Sequence, residues 1–188
     1  LVKAKTVVLV GVFHKYRAFG AHDLVVFDDY RAWRAPDGEV PVSSLRGAIL
    51  ARLPAADFVR DNAAHDREHS LEPLVAWLRH LRPDLEIVPI IVPASPSPRL
   101  EELARHVGGA LAAAMRERRL LLGPDVAVAI SSDAVHYGPD FAHTPFGDGG
   151  IEAYAQAVAR DRELLAGPLA GPLSAAKARE FSAACVRP

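Results

Sequence analysis

Thr6-Val-Val-Leu-Val-Gly-Val-Phe-His14, TVVLVGVFH, is the stretch on which the fold turns. Thr6 to Val10 is a continuous, largely β-branched run without polar alternation, which suits a strand covered on both faces. The run passes through Gly11 and ends on an imidazole, His14. The same pattern returns at Val126–Gly138, VAVAISSDAVHYG, where an apolar strand runs straight into two hydroxyls, a carboxylate and a histidine. In open α/β sheets ligands gather beyond the carboxyl ends of strands, so His14, Asp133 and His136 stand where chemistry is expected.

Working outward, Leu24–Phe27 reads as a second short strand, and Asp28–Pro41 as turn-rich, with a turn at Pro36-Asp-Gly38. Ser43 or Ser44 caps a helix over Leu45–Leu53. Asp61–Ser70 is a polar segment, expected to be a loop containing His65. Ser70 then caps a helix to Leu81, in which Leu71, Leu74, Val75, Leu78 and Leu81 share one face and Pro73 falls in the tolerant first turn. Glu86–Val92 reads as a strand, and its Pro89 predicts an edge position or a bulge. A long helix over Leu100–Glu117, a core strand at Val126–Ile130 and two helices near Ile151–Leu165 and Ser174–Ala184 follow. The alternation predicts an α/β fold with a central, mostly parallel sheet flanked by helices. No internal repeat or linker stands out, so a single domain over residues 1–188 is expected.

Composition narrows the function classes. The chain has 188 residues, half of them hydrophobic, which is enough for a sizeable core. Its net charge is −1 and its pI about 6.8, which speaks against nucleic-acid or membrane-surface binding. The densest basic cluster, Arg116–Arg119, reads as a solvated helix end. The single cysteine, Cys185, excludes an intrachain disulfide and suits a reducing, cytoplasmic setting. No apolar run is long enough to predict a membrane span.

Taken one at a time, the polar residues keep two readings. Asp133 and His136 share a face if a helical turn follows Ser132, and the carboxylate then tunes the imidazole. Equally, Asp133 or Ser132 is a helix cap with His136 packed nearby. His14 is a metal ligand or a loop residue bonded to backbone. Glu68 is a first-turn acid serving the helix dipole or the partner of His69. Cys185 is a small hydrophobe near a helix end or, as thiolate, a soft ligand. His22, His80, His106 and His143 have no evident partners and read as surface or packing residues.

The order of five segments changes the weights. TVVLVGVFH (Thr6–His14), DREHSLEPLVAWL (Asp66–Leu78), IVPIIV (Ile87–Val92), AISSDAVHYG (Ala129–Gly138) and AACVRP (Ala183–Pro188) together resemble the Memo family, known in microbes as AmmeMemoRadiSam system protein B. The resemblance implies an α/β fold similar to class III extradiol dioxygenases, which use non-haem iron. It implies metal ligands at His14 and Cys185, and pocket residues at Asp133, His136, Glu68 and His69. Iron or copper is the implied cofactor, and a small molecule or peptide the implied ligand, with neither nucleic acid nor membrane. Departures accompany it. An upstream histidine motif of the family has no counterpart, a second histidine after His14 is Lys15, and the glycine after the cysteine is Val186. They imply residues missing at both ends or a divergent, shortened member. Three functions follow as expectations: a metal-dependent, dioxygenase-like oxidoreductase; a non-catalytic pocket for an anionic peptide or small acid, with Lys15 and Arg17 as donors; or a metal-assisted hydrolase in which His136 moves protons.

Overall fold

The computed structural model describes residues 3–133 and 136–185. The helical turn expected after Ser132 runs through 134–135, and the change to Val186 follows the last helix; both lie outside the described residues. Two compact units form, one within Leu1–Ser132 and one within Asp133–Pro188.

The first unit is built on TVVLVGVF. Strand β1 covers Thr6–Phe13, three residues longer than the β-branched run alone predicts. It pairs in parallel with β6 (Glu86–Pro93) on one side and β7 (Val126–Ile130) on the other. Beyond β6 lie β2 (Val25–Phe27) and β5 (Phe58–Arg60), giving the order β5-β2-β6-β1-β7. Among the described strands of this sheet only the β2–β6 pair is antiparallel, so the expected α/β class with a mostly parallel sheet is the one observed.

Side-chain alternation along the strands divides the core into two layers. Val7, Leu9 and Phe13 of β1, with Ile87 and Ile91 of β6, face the helix α3 (Glu72–Leu81) and the hairpin β3 (Ala32–Ala35) and β4 (Gly38–Pro41). Val8, Val88, Ile90 and Val126 face α1 (Leu45–Leu50) and α4 (Ser97–Glu117) through Leu45, Ile49, Leu103 and Ala114. Fully buried residues such as Leu9 and Ile87 each stabilise the fold by about 1.5–3 kcal/mol.

Several expectations are corrected. Pro89 sits inside the sheet, on β6 between β1 and β2. It is tolerated because the ladder on its β2 side is broken there: Val42 bridges Ile87, and β2 pairs only with Ile90 and Ile91. Conversely, among the described residues β7 pairs with β1 alone and is an edge strand, and its Val128 and Ile130 side chains are exposed. The turn-rich stretch holds the β3–β4 hairpin, closed at Pro36-Asp37. The segment containing His65 is a short helix, α2 (Asn62–Asp66), whose N-cap Asp61 accepts from the Ala64 N–H. Ser70 does not cap α3; Leu71 occupies that position, and the Ser70 N–H turns to Glu68 instead.

The second unit contains α5 (Gly150–Ala166) and α6 (Ala175–Cys185). Arg160 Nη2 on α5 donates to the Ala184 carbonyl on α6 at 2.8 Å. The Tyr137 hydroxyl donates to the Gly147 carbonyl at 2.6 Å and accepts from the Phe146 N–H, closing the loop before α5. Among the described residues no helix is long and apolar enough to cross a membrane.

Candidate metal-binding site

The site grows from Gly11. A Cβ at this position would lie 2.5 Å from Ser70 Oγ and 2.6 Å from Leu71 Cδ2. Glycine therefore lets the start of α3 press against the middle of β1. That contact brings the Glu68-His69 pair to the end of β1, where His14 emerges.

Glu68 is buried, with its carboxylate at the centre of a ring of donors. Oε2 accepts the His14 N–H at 2.6 Å, and Oε1 accepts the His69 and Ser70 N–H groups at 2.8 and 3.0 Å. His14 Nδ1 lies 2.9 Å from Oε1. Burial pushes the Glu68 carboxyl upward, but the His14 ring and these three N–H groups outweigh it and hold its pKa below the ordinary value. An ionised carboxylate only accepts, so the His14 proton sits on Nδ1 and the ring presents Nε2 as its acceptor. His69 Nδ1 is 3.3 Å from the same oxygen. The two imidazoles stack, 4.9 Å between centroids at 19°. One donor atom from each of His14, Glu68 and His69 can be chosen so that all lie within 4.8 Å of one another. Two imidazole nitrogens suit first-row metals, and Glu68, its oxygens already taken by four N–H groups, supports His14 from behind as carboxylates behind metal-bound histidines do.

The remaining predicted residues belong to the second unit. His136 Nε2 lies 3.3 Å from Asp133 Oδ2, and its ring stacks on Phe141. This pairing joins two residues on irregular backbone, both partly exposed. Cys185 ends α6 beside Arg160, Asp161, Tyr137 and His143, around a cavity of about 50 Å³. Burial pushes its thiol pKa up, and Asp161 adds to this against Arg160. Cys185 is therefore a thiol rather than an activated nucleophile, and a metal would have to displace its proton.

Two histidines that seemed partnerless have partners. His106 Nδ1 lies 2.6 Å from Oδ2 of the buried Asp57, whose Oδ1 accepts from Arg99 at 2.8 Å. Burial raises the Asp57 pKa, the Arg99 and His106 bonds more than reverse this, and the net shift is downward. His80 pairs with Asp37 at 2.8 Å on the surface. No local signal announced the first cluster, because its members are 42 and 49 residues apart.

A family model described as Memo-like protein matches residues 1–175. The chain belongs to the Memo-like family. It is 34% identical over 120 residues to a MEMO1 family protein of Thermococcus onnurineus, a match covering 61% of this chain and 38% of that protein. It is 35% identical over 140 residues to one from Archaeoglobus fulgidus, covering 74% of this chain and 48% of that protein. A third, from Methanothermobacter thermautotrophicus, is 36% identical over 109 residues, covering 57% and 36%. The chain thus spans less than half the length of these curated Memo relatives. Family membership accords with the dioxygenase-like α/β architecture of the first unit.

Proposed function

We propose that this chain is the metal-binding part of a Memo-type protein, with iron or copper held at His14 and His69, and that the whole protein is a dioxygenase-like oxidoreductase. The observation that carries this reading is the stacked His14–His69 pair above a carboxylate held ionised by four donors. Glu68 retains the proton on His14 Nδ1, which orients Nε2 as ligand or proton acceptor. The bound metal would supply the redox chemistry that the side chains lack. His69, exposed and stacked on His14, would be the second nitrogen ligand. Cys185 as a further ligand, and Asp133 with His136 as acid/base groups, rest on the resemblance of their sequence segments to the family motifs alone.

Lys15 and Arg17, both exposed next to His14, favour a second reading in which the same residues bind an anionic peptide or small acid. One measurement separates the two. Metal content of the full-length protein is determined after anaerobic loading with iron(II) or copper(I), with His14→Ala, His69→Ala and Cys185→Ala in parallel. Stoichiometric metal lost on His14→Ala supports the metal reading, and the Cys185→Ala result tests the thiol as ligand. A parent protein that takes up no metal under reducing, metal-replete conditions overturns it.

A further inference from the structure

A second recess lies within the first unit and shares no residue with the His14–Glu68–His69 group. It is an open groove of about 620 Å³ between the β3–β4 hairpin and the start of α3. Such a volume is in the range of small-molecule sites. Its walls are Trp33, Ala35 and Pro36 on one side and Pro73, Val75 and Ala76 on the other, with His65, Asp66, Tyr30, Glu72 and Arg34 supplying the polar atoms.

Acceptors outnumber free donors among the polar groups. His65 is buried, and its Nε2 lies 3.3 Å from the Val26 carbonyl. A carbonyl can only accept, so Nε2 carries the proton and Nδ1 presents a lone pair. That Nδ1 is buried and has no hydrogen-bond partner among the described residues. Burial also lowers the His65 pKa, which keeps the ring neutral and Nδ1 an acceptor. Asp66 accepts the Tyr30 hydroxyl at 2.8 and 3.0 Å, so that hydroxyl's proton is already committed. Asp66 and Glu72 set two carboxylates against the single guanidinium of Arg34. Trp33 is held in place by its Nε1–H bond to the fully buried Asp28 at 2.6 Å, and its ring meets His65 edge to face. A fixed indole face beside carboxylates attracts a cation.

We propose that this groove binds a small organic cation, an ammonium carried on a flat apolar body. The body lies against Trp33 and the two prolines. The ammonium N–H groups go to Asp66 and Glu72. An anion of the same size would meet two carboxylates against one guanidinium, which disfavours it. The inference does not depend on metal at His14.

Benzylamine is the probe, with benzyl alcohol as its neutral counterpart, titrated calorimetrically into the full-length protein. Saturable benzylamine binding is expected, at least about tenfold tighter than benzyl alcohol. The Asp66→Asn/Glu72→Gln double variant should lose about tenfold or more in benzylamine affinity and leave benzyl alcohol unchanged. Ala76→Leu, which narrows the groove without altering charge, should weaken both. Circular dichroism and urea midpoints confirm that the variants fold. The proposal is overturned if benzylamine shows no saturable binding, if both probes bind equally, or if the double variant binds benzylamine like the parent.

Discussion

Glu68→Gln tests the centre of the site. The carboxylate serves four donors: the His14, His69 and Ser70 N–H groups and His14 Nδ1. Glutamine has one acceptor oxygen, and its amide N–H₂ would face whichever donors that oxygen cannot reach. At about 1–3 kcal/mol for each stranded buried donor, with partial relaxation, the loss is about 3 kcal/mol. For a urea slope of about 2 kcal/mol/M, the midpoint falls by about 1.5 M. The pH dependence has a definite sign. The folded Glu68 pKa is depressed, so its contribution is fully present above the ordinary carboxylate value of 4.5 and is lost as pH falls through the lower folded value. The parent–variant difference should therefore be constant near neutrality and shrink in acid. Imidazole ¹⁵N shifts should also show His14 losing its preference for the Nδ1–H tautomer. A difference below about 0.5 kcal/mol at pH 7, or one unchanged down to pH 3, would refute the anion-holding role.

Other outcomes follow from the same geometry. Gly11→Ala should destabilise by about 2 kcal/mol, read from the urea midpoint, because its Cβ meets Ser70 and Leu71; it should also disturb metal uptake by moving the Glu68–His69 segment. Arg46→Ala leaves the fully buried Asp28 with only the Trp33 N–H of its two partners, and should cost about 3–5 kcal/mol by the same assay. Asp57→Ala removes the carboxylate shared by Arg99 and His106; about 3 kcal/mol is expected, and combining it with His106→Ala should be less than additive in a double-mutant cycle.

The strands and helices were legible where local chemistry and periodicity agreed. Thr6–Val10, Val126–Ile130 and the apolar face of Leu71–Leu81 announced themselves through unbroken or helical spacing of apolar residues. Lateral position was not legible. Pro89 reads as an edge residue because a proline lacks an N–H, yet the cost depends on whether a neighbour needs that donor, and the gap between the Val42 bridge and β2 means none does. His65 read as a loop residue because Asp61–Ser70 is polar, but Asp61 caps a helical turn that the sheet then buries. The family resemblance put His14, Glu68 and His69 in one pocket together with Asp133, His136 and Cys185; that Glu68 meets His14 depends on the close approach at Gly11, which only the structure shows.

What the sequence determined by itself was the α/β class and the residue types placed at strand ends, because both depend on near neighbours. What only tertiary structure decided was how charge is held. Glu68 reaches His14 across 54 residues, and Asp57 reaches Arg99 and His106 across 42 and 49. A buried carboxylate is stable only where the fold converges donors upon it, and that convergence is a property of packing, which no sequence interval encodes.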